Sequence, residues 1–212
     1  MKIAVTGADQ NLGRAFCRQL GKRYDVLGWG QRADAPNLSP EGVYQRVDLC
    51  QRERIAEALG GIQAIVHAAL FDCPQPGGDQ DEAELLDWAA RGTYGLVMEA
   101  INAGIKRVVI ISRLSLMEAY PEDFVVRENW MPQPRPEVAE LAPYTAELVG
   151  RELARTEPIE VVCLRLGAIG DAAGTSIQDA VEAVVEALEH PPRQSGHRWQ
   201  LSHVASAGRF AR

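Results

Sequence analysis

The stretch KIAVTGADQNLGRAF, residues 2–16, decides the fold class. A short apolar run, KIAVT, precedes a loop with glycines at positions 7 and 13, and a segment with helical spacing follows. This order is typical of the first βαβ unit of a dinucleotide-binding sheet. Gly7 would let the backbone turn tightly and Gly13 would let the helix pack closely on the strand. Amides at the helix N-terminus would then face a pyrophosphate.

Downstream of this unit, short apolar runs alternate with longer amphipathic segments. Further strands are predicted at DVLGW (25–29), VYQRV (43–47), AIVHA (64–68), RVVIIS (107–112), VVCLRL (161–166) and near 198–202. Helices are predicted near 51–59, 79–103, 143–155 and 176–189. Because parallel strands are joined by right-handed crossovers, the pattern predicts a Rossmann-type α/β fold with a doubly wound parallel sheet. We expect one domain over 1–212, with little chain left for a substrate region.

Residues 116–142 interrupt the alternation. This segment is rich in proline and acidic residues and has no sustained period, so it predicts a long loop. It follows the carboxyl end of a strand, where open α/β sheets bind their ligands. We therefore expect it on the substrate side.

Composition excludes several classes of function. Lys and Arg number 22 against 29 Asp and Glu, a net charge of -7, which disfavours nucleic acid and anionic membranes as partners. The chain has no apolar run long enough to span a bilayer and no N-terminal leader pattern, so we expect a cytoplasmic protein. The four cysteines and four histidines show no metal-ligand spacing, and no metal is expected.

The loop TGADQNLG (6–13) resembles the TGxxGxxG loop of the extended short-chain dehydrogenases/reductases, the NAD-dependent epimerase/dehydratase family. The likeness continues at Asp48-Leu49, similar to the family pair whose carboxylate binds the adenine amino group, and at Ala68-Ala69, beside the cofactor. It reaches about residue 170 through Gly92-Thr93 and Pro143-Tyr144. The resemblance implies cofactor-binding roles for Gly7, Gln10, Asn11, Leu12, Gly13, Arg32, Asp48, Leu49, Ala68, Ala69 and Tyr144.

Two departures concern the cofactor. Gln10 replaces the middle glycine of the loop, so its side chain must point away from the phosphates or donate its amide to them. The second strand ends in GWGQR (28–32), without the acid that binds the ribose hydroxyls of NAD. Arg32 would suit a 2′-phosphate and slightly favours NADP, whereas Asp34 keeps NAD open.

Further departures concern catalysis. In the family, Tyr-x-x-x-Lys pairs a tyrosine acid/base with an activating lysine one helical turn away. Here the tyrosine is Tyr144, but the lysine position is Leu148, with Arg151 as an alternative cation. The partner serine would be Ser112 or Ser115, since the strict register puts a leucine between them.

Three functions remain open on these grounds. The first is an NAD(P)-dependent oxidoreductase or epimerase acting on a sugar nucleotide or a small carbonyl or alcohol substrate. The second is a catalytically silent NAD(P)-binding sensor, and the third is a scaffold without nucleotide. The family also implies a homodimer through the helices near 79–103 and 143–155. Its expected surface is Leu85, Leu86, Ala89, Leu96 and Val97.

Overall fold

The computed structural model describes residues 1–33, 43–72, 82–170, 174–191 and 198–211. All seven strands in these ranges form one parallel sheet in the order β3-β2-β1-β4-β5-β6-β7. The strands are β1 Lys2–Thr6, β2 Asp25–Gly30, β3 Val43–Arg46, β4 Ala64–His67, β5 Arg107–Arg113, β6 Glu160–Leu166 and β7 Trp199–Val204. The chain reverses its direction across the sheet between β1 and β4. The predicted Rossmann-type sheet is confirmed.

Helices cover both faces of the sheet. They are α1 Asn11–Leu20, α2 Arg52–Ala58, α3 Glu82–Asp87, α4 Thr93–Asn102, α5 Val138–Thr156 and α6 Ile177–Glu189. One apolar cluster joins the sheet to α1 and α6, and another joins it to α2, α4 and α5. Within β5, Val109 and Ile111 face the first cluster, and Val108 and Ile110 face the second. Burial on both faces explains the continuous apolar strands.

Helix α5 begins at Val138, earlier than the predicted 143. The predicted start was wrong because the helix continues through Pro143, which cannot donate a backbone hydrogen bond. The proline lies inside the helix and leaves the carbonyl oxygen of Ala139 without its helical donor. The Nη1 atom of Arg113 donates to that oxygen at 3.2 Å. An arginine at the end of β5 therefore replaces the missing backbone bond.

The helix predicted near 79–103 is divided. Residues 79–81 lie outside the described residues, and a π-helical turn, Trp88–Gly92, separates α3 from α4. Most of the apolar residues expected on a dimer surface lie in the core of the chain instead: Leu85, Ala89, Leu96 and Val97 are buried and Leu86 is partly buried. They therefore give no support to a partner surface, and the homodimer stays a prediction.

The segment predicted as a long loop packs around Trp130. A short 3₁₀ helix, Leu114–Met117, follows β5. Beyond it, the rings of Tyr120 and Phe124 lie edge-on to Trp130, at centroid distances of 4.9 and 6.1 Å. Arg209 donates hydrogen bonds to two carbonyl oxygens in this segment. The C-terminal residues thus fasten the loop to the domain.

The cysteines within the described residues form no disulfide. Cys17, Cys50 and Cys163 are free, and burial raises the pKa of Cys17 to about 12. Cys73 lies outside the described residues. None of the helices in the described part of the chain is both long and apolar enough to cross a membrane.

Candidate functional site

The glycine loop lies where the strand order reverses, between the carboxyl ends of β1 and β4. Gly7 has a φ of 73°, and a Cβ there would lie 2.7 Å from the Cα of Ala69. A Cβ on Gly13 would overlap the carbonyl oxygen of Gly7. Glycine is therefore required at both positions, because α1 and the end of β4 approach the loop so closely. Ala68 and Ala69 are buried and small enough to permit this approach.

One backbone amide at the start of α1 already holds a carboxylate oxygen. The backbone N–H of Leu12 donates to Oδ2 of Asp72 at 2.8 Å. Asn11, the first residue of the helix, is exposed beside it. The amide therefore has the role expected of a pyrophosphate-binding donor, but its present acceptor is a carboxylate from the loop after β4. The sequence did not predict a role for Asp72. Its only indication was an acidic residue three positions after Ala69.

Gln10 occupies the place where the family has a glycine. Its Oε1 atom lies 3.1 Å from the position that a Cβ on Gly7 would take. That oxygen is buried and has no hydrogen-bond partner among the described residues. The side chain thus lies in the cleft rather than away from it, with a buried acceptor that lacks a donor.

A cavity of about 360 Å³ extends from Gln10 along the carboxyl edge of the sheet. Asp48 lines it, and its carboxylate accepts hydrogen bonds from Cys50 N at 2.9 Å and from Gln51 Nε2 at 2.7 Å. The neighbouring Leu49 is buried against Gly92. The other lining residues are Gln31, Arg46, Ala69, Glu84, Leu85, Asp87 and Trp88, together with Cys50. Arg32 is exposed at the end of β2, and Asp34 lies outside the described residues.

A buried chain of hydrogen bonds fixes the floor of the cleft. His67 Nδ1 lies 2.8 Å from Thr6 Oγ1, and His67 Nε2 lies 3.1 Å from Thr93 Oγ1. The N–H of Ala69 donates to Thr6 Oγ1 at 3.3 Å. Burial lowers the pKa of His67 to about 4, so its imidazole is neutral at pH 7. His67 therefore ties β1, β4 and α4 together without carrying charge.

The predicted catalytic residues are not joined by hydrogen bonds. Tyr144 on α5 is partly buried, and its hydroxyl makes no hydrogen bond to another described residue. Ser112 is fully buried, and its Oγ atom has no partner. Ser115 instead donates to Oε1 of Glu140 at 2.7 Å. The structure brings these side chains to the same end of β5 without forming the family's serine and tyrosine contact.

A buried ion pair lies beside Tyr144. Arg165 on β6 donates from Nε and Nη2 to the carboxylate of Glu147 at 2.8 and 2.6 Å. Burial alone would lower the pKa of Arg165, but the hydrogen bonds and charge of Glu147 outweigh burial and raise it. Arg165 is thus a cation near Tyr144, but Glu147 neutralises it. Arg151, the alternative cation, is exposed and pairs with Glu152 at 3.2 Å, so its charge is already partnered.

A second cavity, of about 470 Å³, lies on the other side of the glycine loop and is lined by Leu12, Asp72, Arg113, Ala168 and neighbours. The ring of Phe71 lies 5.7 Å below the guanidinium of Arg113. Across the described ranges, no three potential ligands among His, Cys, Asp and Glu come together.

Solved structures share this fold at low identity. A mutated uronate dehydrogenase superposes with a TM-score of 0.79, at 20% identity, over 99% of this chain and 75% of that one. A short-chain dehydrogenase/reductase superfamily protein from Agrobacterium tumefaciens with bound NAD superposes with a TM-score of 0.79, at 17% identity, over 98% of this chain and 78% of that one. A UDP-N-acetylglucosamine 4-epimerase from Bacillus cereus superposes with a TM-score of 0.75, at 18% identity, over 98% of this chain and 79% of that one. These likenesses establish the fold.

Characterised relatives are similar over part of the chain. Sterol demethylase protein B of Methylococcus capsulatus is 33% identical over 139 residues, which cover 63% of this chain and 40% of that protein. The 2-alkyl-3-oxoalkanoate reductase of Stenotrophomonas maltophilia is 41% identical over 69 residues, 32% of this chain and 21% of that protein. The matches therefore span less than half of either relative. The model of the NAD dependent epimerase/dehydratase family matches residues 3–168, and the chain belongs to that family.

Proposed function

We propose that the chain binds a nicotinamide dinucleotide along the carboxyl edge of β2, β1 and β4. The observation that carries the proposal is the close approach of Gly7 and Gly13, which brings the start of α1 against the carboxyl end of β1, beside the open cavity that Gln10 and Asp48 line. The Leu12 N–H would hold the pyrophosphate, and Asp48 lines the cavity that would take the adenine. The unpartnered Oε1 of Gln10 fits a ligand that brings a donor into the cleft.

Binding requires one local change. The Leu12 N–H donates to Asp72, so a pyrophosphate oxygen that takes this donor must displace the carboxylate. Asp72 lines the 470 Å³ cavity together with Arg113, and no ion pair joins the two in the described structure. The displaced carboxylate therefore has space to move and a cation to move towards.

The second part of the proposal is that the protein binds the dinucleotide without efficient hydride transfer, as a sensor that reports occupancy to a partner protein. A bound nicotinamide supplies a site that accepts or donates hydride. The chain's own contribution would be a tyrosine acid/base, but Leu148 places no charge one turn from Tyr144. The nearby cation, Arg165, is neutralised by Glu147. A tyrosine without an activating cation is a poor base at neutral pH.

One observation favours an enzyme as the second candidate. The hydroxyl of Tyr144, which is only partly buried, makes no hydrogen bond to another described residue, so it remains available to a substrate oxygen. The relatives include proteins named as a uronate dehydrogenase, a sugar-nucleotide epimerase and a reductase. This candidate is an oxidoreductase or epimerase acting on a sugar nucleotide or a small carbonyl or alcohol.

A titration followed by a turnover assay separates these functions. Trp29 and Trp88 line the cleft, so NADH binding should quench tryptophan emission and excite the nicotinamide by energy transfer. We expect saturable binding and no turnover on a panel of uronic acids, UDP-sugars and small ketones. Turnover of any panel member would overturn the sensor proposal and support the enzyme. If neither NADH nor NADPH binds, the proposal is overturned and a scaffold without nucleotide remains as the function.

Two properties stay predictions from the sequence. One is the cytoplasmic location. A homodimer follows from the family resemblance alone, because the apolar residues of α3 and α4 are mostly in the core. Light scattering of the purified chain would test the dimer, and a monomeric mass would contradict this prediction.

A further inference from the structure

The end of β2 receives its carboxylate from another part of the chain. The sequence GWGQR has no acid there, yet the side chain of Asp9, from the glycine loop, folds against this strand end. Its Oδ2 atom accepts hydrogen bonds from the backbone N–H of Gln31 at 2.8 Å and of Arg32 at 3.1 Å. Two amides that follow β2 are therefore bound to a negative charge already present in the fold.

Gly30 makes this position possible. A Cβ at residue 30 would lie 2.5 Å from Cγ and 2.6 Å from Oδ1 of Asp9. The absence of a side chain at Gly30 thus creates the space that the carboxylate fills. The hydroxyl of Tyr44 encloses the same space and donates to the carbonyl oxygen of Arg32 at 2.9 Å.

The two oxygens of the carboxylate have different surroundings. Oδ2 holds the backbone of β2, whereas Oδ1 accepts no hydrogen bond from any described residue. Asp9 lines a small cleft with Gly7, Gln10 and Trp88, next to the cavity that contains Asp48. An ionised carboxylate accepts hydrogen bonds and donates none. The free oxygen can therefore receive a hydroxyl from a ligand in this cleft.

We propose that Asp9 makes the dinucleotide site selective for NAD over NADP. The inference rests on the proposed dinucleotide binding. A ribose with free 2′- and 3′-hydroxyls donates to Oδ1, whereas a 2′-phosphate would meet a like charge and would find the amides of residues 31 and 32 occupied. The acid that the family places at the end of the second strand is thus supplied from the glycine loop.

The arginines nearby do not reverse this preference. Arg14 donates to the backbone oxygen of Asp9 at 3.2 Å, and Arg46 lines the adjoining cavity. Arg32, which favoured NADP on sequence grounds, presents its backbone N–H to Asp9. A 2′-phosphate would still have to displace the Asp9 carboxylate before it could accept from the backbone amides of Gln31 and Arg32.

The test is a titration of the whole chain with NADH and NADPH, read by nicotinamide fluorescence. The wild type should bind NADH at least about tenfold more tightly than NADPH, and Asp9→Asn should reduce that ratio by about tenfold or more. Asp25→Asn removes the same charge at the opposite end of β2 and should leave the ratio unchanged. If Asp9→Asn does not fold, as judged by its melting curve, Asp9→Ser retains an acceptor for the amides and serves in its place.

Each outcome decides the matter. Wild-type protein that binds NADPH as tightly as NADH, or an Asp9 variant with an unchanged ratio, overturns the selectivity proposal while dinucleotide binding stands. Binding of neither dinucleotide overturns both.

Discussion

The carboxylate of Asp72 accepts a 2.8 Å hydrogen bond from the backbone N–H of Leu12, at the start of α1. The helix dipole and an amide that has no acceptor within the helix make this point favourable for an anion. Asp72 therefore accepts from the same amide that would hold the pyrophosphate in the proposed dinucleotide site. Under that proposal, the affinity for the dinucleotide depends on displacing a carboxylate that does not itself bind the cofactor.

Asp72→Asn should tighten NADH binding. The substitution weakens the internal competitor, because a neutral amide is a poorer acceptor than a carboxylate, and it removes a negative charge near the pyrophosphate. We expect a gain of about tenfold, which corresponds to about 1.4 kcal/mol. Isothermal titration of wild type and variant measures it.

Asp179→Asn is the matched control. Asp179 accepts hydrogen bonds from Ser176 and Ser206 at the start of α6, away from the cleft. The control should bind NADH as the wild type does. Weaker binding by Asp72→Asn would mean that Asp72 assists the cofactor rather than competing with it.

Leu148→Lys, combined with Leu114→Ser, should restore hydride chemistry if the site is otherwise intact. The lysine would place a cation one helical turn from Tyr144, and the serine would restore the family's register after β5. Reduction of small ketones by NADH should rise above the wild-type background. Leu148→Met with the same Leu114→Ser change has similar bulk without charge and should stay at background. Wild-type turnover with an optimum near neutral pH would show that Tyr144 is already activated.

Acid should destabilise the fold through His67. Burial lowers the pKa of His67 from 6.5 to about 4, so the folded state binds fewer protons than the unfolded state in this interval. The contribution of neutral His67 to the free energy of unfolding is fully present above pH 6.5 and is lost as the pH falls towards 4. The difference of about 2.5 pKa units corresponds to about 3 kcal/mol.

Urea denaturation at several pH values measures this loss. His67→Gln should flatten the dependence between pH 6.5 and 4, whereas His190→Gln, an exposed histidine, should preserve it. A wild-type free energy of unfolding that is constant across this range would contradict a neutral buried His67.

Local sequence patterns predicted the sheet and the glycine loop because both depend on residues close together in the chain. Gly7 and Gly13 are required by one tight turn, and the strands follow from continuous apolar runs. The roles of Asp9 and Asp72 were missed because their partners are distant in the chain. Asp9 binds a backbone amide 22 residues away, and Asp72 binds one 60 residues away. Backbone amides leave no trace in a sequence, so neither acid could be assigned a partner.

The start of α5 was missed for a related reason. Pro143 indicates a helix boundary by itself, and only the position of Arg113 shows that the carbonyl of Ala139 has another donor. The pairing of Glu147 with Arg165 was equally hidden, because it joins a helix to a strand that follows it. These tertiary contacts decide how Tyr144 is surrounded.

Dinucleotide binding at the glycine loop is tested most directly by isothermal titration of NADH into the wild type, Gly13→Ala and Gly60→Ala. A Cβ at residue 13 would overlap the carbonyl oxygen of Gly7, whereas a Cβ at residue 60 meets nothing within 4 Å. We predict saturable one-site binding to the wild type and to Gly60→Ala, with at least about tenfold weaker binding to a folded Gly13→Ala. No heat of binding in the wild type, or equal affinities in all three proteins, would contradict a dinucleotide site at this loop.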